Sequence, residues 1–327
     1  MVLISVITPI YNAETYIERC IRSLFSQTFD KMEFIFVDDG STDGSMKILQ
    51  NFFNEYSQDK KIKILSNPSN LGVTESRKKG LLEAIGDYIG WVDADDWVES
   101  EAFEKMYNLA VQNNADIVVS NSIWHYEDHV KYMEYKHNVT PIEGLVKMFD
   151  HHYLPYQLWS HLIKKEIMVK SIESLYPTNY GEDFYMLVYA YYYSNNVVYL
   201  DDFVYNYENR NEGSIMHTMC FSYENWIQQK MNIQLISNLL YSKKGGYSIF
   251  HKAVNQVKFN RKNKFRASFP SLRVYYYTFE ECYSDIVKKK DFKPYLSRFT
   301  KLFRFSFYLF YWIHYHKTDW RNSKSNI

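Results

Sequence analysis

Apolar and polar positions change their period several times along the chain, and each change marks an element. Ile4 to Thr8 is apolar and β-branched, a strand that Pro9 ends. From Glu14 to Phe25 the apolar residues Ile17, Cys20, Ile21, Leu24 and Phe25 fall at helical spacing. Phe34 to Val37 is a second short apolar run, closed by the turn Asp38-Asp39-Gly40-Ser41. Thr42 or Asp43 can then cap a helix through Met46, Leu49, Phe52 and Phe53. Ile62–Leu65 reads as a strand, Asn67–Gly72 as a loop, Thr74–Ala84 as a helix, and Tyr88–Val92 and Ile117–Val119 as two more strands. Beyond 140 the pattern turns helical, over Glu143–Phe149, Tyr156–Met168 and Glu182–Tyr193. From 222 it is helical, basic and aromatic, with no internal repeat and no low-complexity linker.

Strands separated by helices of this length predict an α/β chain with a mainly parallel sheet and helices on its faces. In such sheets ligands bind beyond the carboxyl ends of the strands. The polar groups fall there: Pro9-Ile10-Tyr11-Asn12, Asp38-Asp39 and Asp93-Ala94-Asp95-Asp96. The last puts three carboxylates within four residues after an apolar strand, which is costly unless a cation or a donor group shares the site. A hard divalent cation that also holds a diphosphate takes one or two carboxylates and leaves its other positions to phosphate oxygens and water.

Composition changes this picture little. With 46% hydrophobic and 23% charged residues, the 327-residue chain can bury one large core, or one core plus a smaller appended unit. The 31 Tyr and 22 Phe are more telling; they suit sugar platforms or membrane interfaces, or reflect AT-rich coding. Charge is unevenly spread: residues 1–240 carry 19 Lys and Arg against 33 Asp and Glu, residues 241–327 carry 19 against 5. A basic end on an acidic body points to an anionic partner. Three isolated cysteines (Cys20, Cys220, Cys282) argue for a reducing cytoplasm. The N-terminus lacks the basic region of a signal peptide, and no apolar run reaches the roughly 18 residues of a spanning helix.

No Gly-x-Gly-x-x-Gly follows the first strand and no Gly-x-x-x-x-Gly-Lys-Ser/Thr occurs, so neither a dinucleotide fold nor a P-loop is supported. A nucleotidyltransferase would need a Gly-rich basic loop where Pro9-Ile10-Tyr11-Asn12-Ala13 stands. Taken together, four segments resemble family 2 glycosyltransferases, inverting enzymes of the GT-A fold. They are Ser5–Asn12, Phe36–Asp43, Asn70-Leu71-Gly72 with Arg77, and Asp93–Asp96. The resemblance is specific over residues 3–125 and looser to about 217, through Trp159, Gly181-Glu182-Asp183 and Ser214-Ile215-Met216-His217.

What the resemblance implies can be carried over by position. Pro9, Tyr11 and Asp39 form a nucleoside pocket, the Asp39 carboxylate accepting the uracil N–H; otherwise Tyr11 and Asn12 simply end a strand. Asp38 caps a turn or braces the loop. Arg77 faces the nucleotide or diphosphate, or is a solvated helix charge beside Lys78 and Lys79. Asp93 touches ribose or metal, Ala94 lines the nucleotide, Asp95 coordinates Mn²⁺ or Mg²⁺, and Asp96 supports the pair. Asp183 matches the general base, which takes the acceptor hydroxyl proton as that oxygen attacks C1. Glu182 raises its basicity or binds the acceptor, although Glu-Asp also suits any helix N-terminus. His217 is a candidate metal ligand, and Arg210 and Ser214 are candidate phosphate contacts. Trp159 lies near the sugar or packs in the core; the family's Trp-Asn-Lys is here Trp159-Ser160-His161.

The expected organisation is a GT-A catalytic domain over 1–221 and a helical basic and aromatic region over 222–327. In that region Lys301–Trp320 suits an interfacial helix on anionic lipid, or a subdomain packed on the body. The expected activity is sugar transfer from a UDP donor to a glycan or lipid-linked oligosaccharide in bacterial surface polysaccharide synthesis. The enzyme would be cytoplasmic, with a peripheral contact on the inner membrane face and no nucleic-acid partner. A non-catalytic nucleotide-sugar binding subunit is the rival reading.

Overall fold

The computed structural model describes residues 1–135, 139–149, 157–178, 180–211 and 222–264. Ser214, His217, Cys220, Cys282 and the stretch 301–320 lie outside the described residues.

The first half follows the expected alternation. β1 (Ile4–Ile10), β2 (Met32–Asp38), β3 (Lys61–Ser66) and β4 (Tyr88–Trp91) lie in the order β3-β2-β1-β4, every pair parallel. α1 (Ile17–Phe25), α2 (Ser45–Tyr56) and α3 (Val73–Glu83) are the crossovers. The apolar face of α1 is wholly buried, and the Phe25 ring meets Phe34, Phe36, Phe52 and Tyr56 at centroid distances from 5.3 to 6.4 Å. Burying one such ring stabilises the fold by about 1.5–3 kcal/mol. Edge strand β3 carries Lys61 and Lys63, charges that discourage pairing with another chain.

Pro9 does not end β1, which runs on to Ile10 opposite Asp38. The Ile7 carbonyl accepts the Val92 N–H on the β4 side, where pairing stops, and the Ile10 carbonyl accepts the Asp39 N–H on the β2 side. Pro9 alternates with Ile10 and so turns its missing donor toward the side β4 has left, where no ladder bond is lost.

The second half departs from the expected helices. Tyr156–Met168 is not one helix: a 3₁₀ turn (Leu158–Ser160) is followed by β8 (His161–Lys164) and then α6 (Lys165–Glu173). His161, Leu162 and Ile163 are buried in succession, as a strand covered on both faces requires, and a short apolar run has no period to reveal that. β8 lies antiparallel between β4 and β6 (Ile117–His125). β9 (Val197–Glu208), also absent from the sequence reading, runs parallel to β6 across a bulge near Asn121 and pairs antiparallel with β5 (Trp97–Val98). β7 (Val130–Met133) pairs with the far end of β6. The remaining described helices are α4 (Ala102–Gln112), α5 (Pro141–Phe149), α7 (Glu182–Tyr193), α8 (Tyr223–Ser242) and α9 (Gly246–Lys264). The described residues fall in one compact unit, in which α8 packs on α7 and α9 on α5 and α8. The sheet is therefore a curled, mixed one flanked by helices: the GT-A architecture.

Candidate active site

The ends of β1, β2 and β4 supply the site. At β2, Asp38 accepts the Ser41 N–H at 2.9 Å and holds the turn. Gly40 there has φ +77°, and a Cβ on it would come within 2.8 Å of the Ser69 backbone, so the turn lies directly on the 67–72 loop. Buried Asp39 ties that loop down, accepting from Asn67 Nδ2 (2.8 Å), Leu71 N (2.9 Å) and Gly72 N (2.8 Å). At β1, Tyr11 is half exposed, and Asn12, in the left-handed region, accepts the Thr42 N–H at 2.8 Å. Pro9, Tyr11 and Asp39 thus lie at adjacent strand ends, where the Ile10 carbonyl accepts the Asp39 N–H at 2.8 Å.

Arg77 is not a solvated charge. It lies on α3 at 3% exposure, and its guanidinium gathers three carboxylates. Nη2 donates to Asp93 at 3.1 Å, while Nη1 donates to both Glu182 and Asp183. Glu182 and Asp183 lie 105 and 106 positions beyond Arg77, which joins them to Asp93. Asp183 opens α7, whose N-cap, Gly181, has φ +66°, and it also accepts from Leu158 N at 3.4 Å. Burial pushes the Asp183 carboxyl up to about 8; Arg77 pulls against this, and Glu182 and Asp93 add to the rise. One cation facing three carboxylates leaves the cluster short of positive charge, which favours the protonated form of the most desolvated of them.

Beyond Asp93 the acidic turn is stitched to β9. Fully buried Asp96 accepts from Tyr205 Oη (2.6 Å) and Glu208 N (2.7 Å), a brace rather than an open ligand. Half-buried Asp95 accepts from Asn211 Nδ2 at 2.8 Å; burial first, then Asp93, pushes its carboxyl up to about 6. Ala94 is buried between them. Arg210 does not stand alone: it grips Glu208, which also takes Arg19 Nη2 at 3.0 Å. Arg19 donates in addition to the Asp95 carbonyl at 2.9 Å and stacks on Trp97. Trp159 packs, its ring stacked on Tyr205 at 4.3 Å and 11°. Arg19 and Glu208 were missed in the sequence, where each stands as an ordinary charge beside another polar residue.

Among the described residues no group of three His, Cys, Asp or Glu converges as a complete metal cage. Asp93 and Asp95 nevertheless suit a hard cation that draws its other ligands from phosphate and water, and their excess charge is what such an ion would relieve. Of the expected site, the structure brings together Asp93, Asp183, Glu182 and Arg77, while Asp95 pairs with Asn211 and Arg210 with Glu208.

A model of the family described as Glycosyl transferase family 2 matches residues 5–172, just over half the chain. An uncharacterized glycosyltransferase of Haemophilus influenzae is 41% identical over 114 residues, 35% of this chain and 44% of that protein. Glycosyltransferase GlyA of Streptococcus pneumoniae is 29% identical over 251 residues, 73% of this chain and 35% of that protein. The chain therefore spans less than half the length of these relatives. TarS 1–349 of S. aureus, solved with UDP-GlcNAc, superposes with a TM-score of 0.61 at 19% identity, over 81% of this chain and 83% of that one.

Proposed function

The chain belongs to glycosyl transferase family 2, and from that premise we propose that it moves a sugar from a UDP donor to a hydroxyl, inverting the anomeric centre. One observation carries the reading: a single buried guanidinium holds Asp93, of the acidic turn, and Asp183, in the first turn of α7. This supports a reading in which the donor and base positions would be fixed against each other. Pro9, Tyr11 and Asp39 would take the nucleoside, with Arg77 and Ala94 bordering it. Asp95 with Asp93 would hold Mn²⁺ or Mg²⁺, which supplies charge neutralisation on the departing diphosphate. Asp183 would take the acceptor proton on the face opposite UDP. Glu182 keeps that carboxyl basic, and Arg210 and Ser214 are proposed to meet phosphate, with His217 as a further metal ligand.

The sugar is proposed to be a hexose or N-acetylhexosamine, the acceptor a glycan or lipid-linked oligosaccharide of a bacterial surface polysaccharide. No described helix is long and apolar enough to cross a membrane; the basic C-terminal region is proposed to meet the membrane surface peripherally. The test is release of UDP from a panel of UDP-sugars with and without saccharide acceptors. Acceptor-dependent release supports the reading, and donor binding without release at any acceptor would leave only a binding subunit.

A further inference from the structure

Beyond the family-matched segment, α8 places two amides on its buried face. Gln229 and Asn232 are both 0% exposed, among Trp226, Ile233 and Ile236. Amides at such positions lose hydration that leucine would not, so they persist only where their partners are specific. Here all the partners belong to the segment that delivers Asp183. Asn232 pairs with both backbone groups of Tyr176, accepting from its N–H and donating to its carbonyl at 2.9 Å each. Gln229 Nε2 donates to Thr178 Oγ1 at 3.0 Å and to the Tyr180 carbonyl, and its Oε1 accepts from Tyr185 Oη at 2.8 Å.

These contacts bracket the base. The Tyr180 carbonyl belongs to the peptide that leads into Gly181, whose left-handed backbone turns the chain into α7. Tyr185 lies two residues after Asp183. Gln229 thus grips the chain on both sides of the carboxylate. From the opposite side Thr74 of α3, three residues before Arg77, donates to the Thr178 carbonyl. The turn is held between the helix that carries Arg77 and a helix that carries none of the proposed chemistry. A satisfied buried polar network fixes one geometry more than it adds stability.

We propose that Gln229, backed by Asn232, is a positioning residue that sets the orientation of Asp183 and makes α8 a working part of the active site. This rests on Asp183 being the base. The role is distinct from filling space, because a methionine at 229 would occupy similar volume with none of the three hydrogen bonds.

The experiment compares Gln229→Met, Gln229→Asn, Tyr185→Phe and, as a surface control on the same helix, Met231→Ala in the full chain. Active sites are counted by UDP titration, so that loss of folded protein is not read as loss of rate. Gln229→Met is expected to lower kcat roughly ten- to a hundredfold, the size of effect a base displaced by about an ångström gives, while donor KM and UDP affinity hold. Gln229→Asn, which keeps an amide, recovers part of that loss; Tyr185→Phe, which removes one bond and little volume, costs a few-fold; Met231→Ala costs nothing. Unchanged kcat per UDP-binding site in both Gln229→Met and Tyr185→Phe overturns the proposal. Asp183→Asn run alongside separates the two ideas: if it turns over normally, the base assignment itself falls.

Discussion

Glu208 and Asp183 are both carboxylates held by arginine near the same acidic turn, yet their proton affinities move in opposite directions. Burial pushes both up. At Glu208 the hydrogen bonds of Arg210 and Arg19 outweigh burial and hold the group at about 2. At Asp183 one guanidinium is divided among three carboxylates and the group rises to about 8. Burial is the largest influence on Asp183, and the charge ratio decides how much of it the arginine offsets. Two cations on one anion make a saturated joint; one cation among three anions leaves a group able to exchange a proton.

That contrast can be broken most severely at its reactive end. Asp183→Asn should lower sugar transfer by about 10²–10⁴-fold, the usual contribution of a general base, with UDP binding retained. Steady-state rates beside calorimetric UDP binding check this, and near-normal turnover would remove Asp183 from the role. Next in size is Arg77→Met, which strands three carboxylates and should destabilise the fold by about 3–5 kcal/mol in urea unfolding at neutral pH. A loss below about 1 kcal/mol would mean the cluster is not held as described.

A pH profile sharpens the comparison without mutation. As the proposed base Asp183 would act deprotonated, and its carboxyl is raised, so kcat/KM should climb about tenfold per unit below a pH of about 8 and level off above it. An acid limb that ends near the ordinary carboxylate range would contradict the raised value. The saturated joint gives the smallest effect and the opposite sign. Because the folded Glu208 carboxyl is depressed from 4.5 to about 2, its contribution is full above the unfolded value and is lost as pH falls through that interval. Glu208→Gln should therefore narrow the stability gap to wild type as pH drops from 4.5 toward 2, by acid-unfolding midpoints; a gap that stays constant would detach Glu208 from that transition.

The two halves of the sheet were not equally legible. In β3-β2-β1-β4 each strand is local, bounded by turn residues, and followed by a helix whose apolar face recurs at helical spacing, so the alternation and its parallel character could be read directly, though not the spatial order of the strands or the true end of β1. Asp39 and Asp93 emerged because strand ends in such sheets face ligands. β8 and β9 were hidden for different reasons. Three consecutive buried residues in β8 have no period, and in β9 exposed Asp201 and Asp202 interrupt the apolar run. Arg77 was the most ambiguous. Flanked by Lys78 and Lys79 it looks like a solvated face, and only the long-range return of Glu182 and Asp183 shows why it is buried. Gln229 and Asn232 carried no signal beyond polarity on an apolar helix face.

The stitching of the acidic turn to β9 also dictates an order of assembly. Asp96 receives its partners from residues 109 and 112 positions later, and Asp95 receives Asn211 from 116 positions later. Closing loops of that length delays the contacts they join, whereas β1 and β2 pair across a span of 28 residues. A nascent chain can build the β3-β2-β1-β4 platform, and with it the proposed nucleoside site, long before residue 211 has been synthesised. The acidic turn cannot be complete until then. In refolding followed by pulsed hydrogen exchange, the Asp39 N–H of the platform should gain protection ahead of the Glu208 N–H, which donates to Asp96.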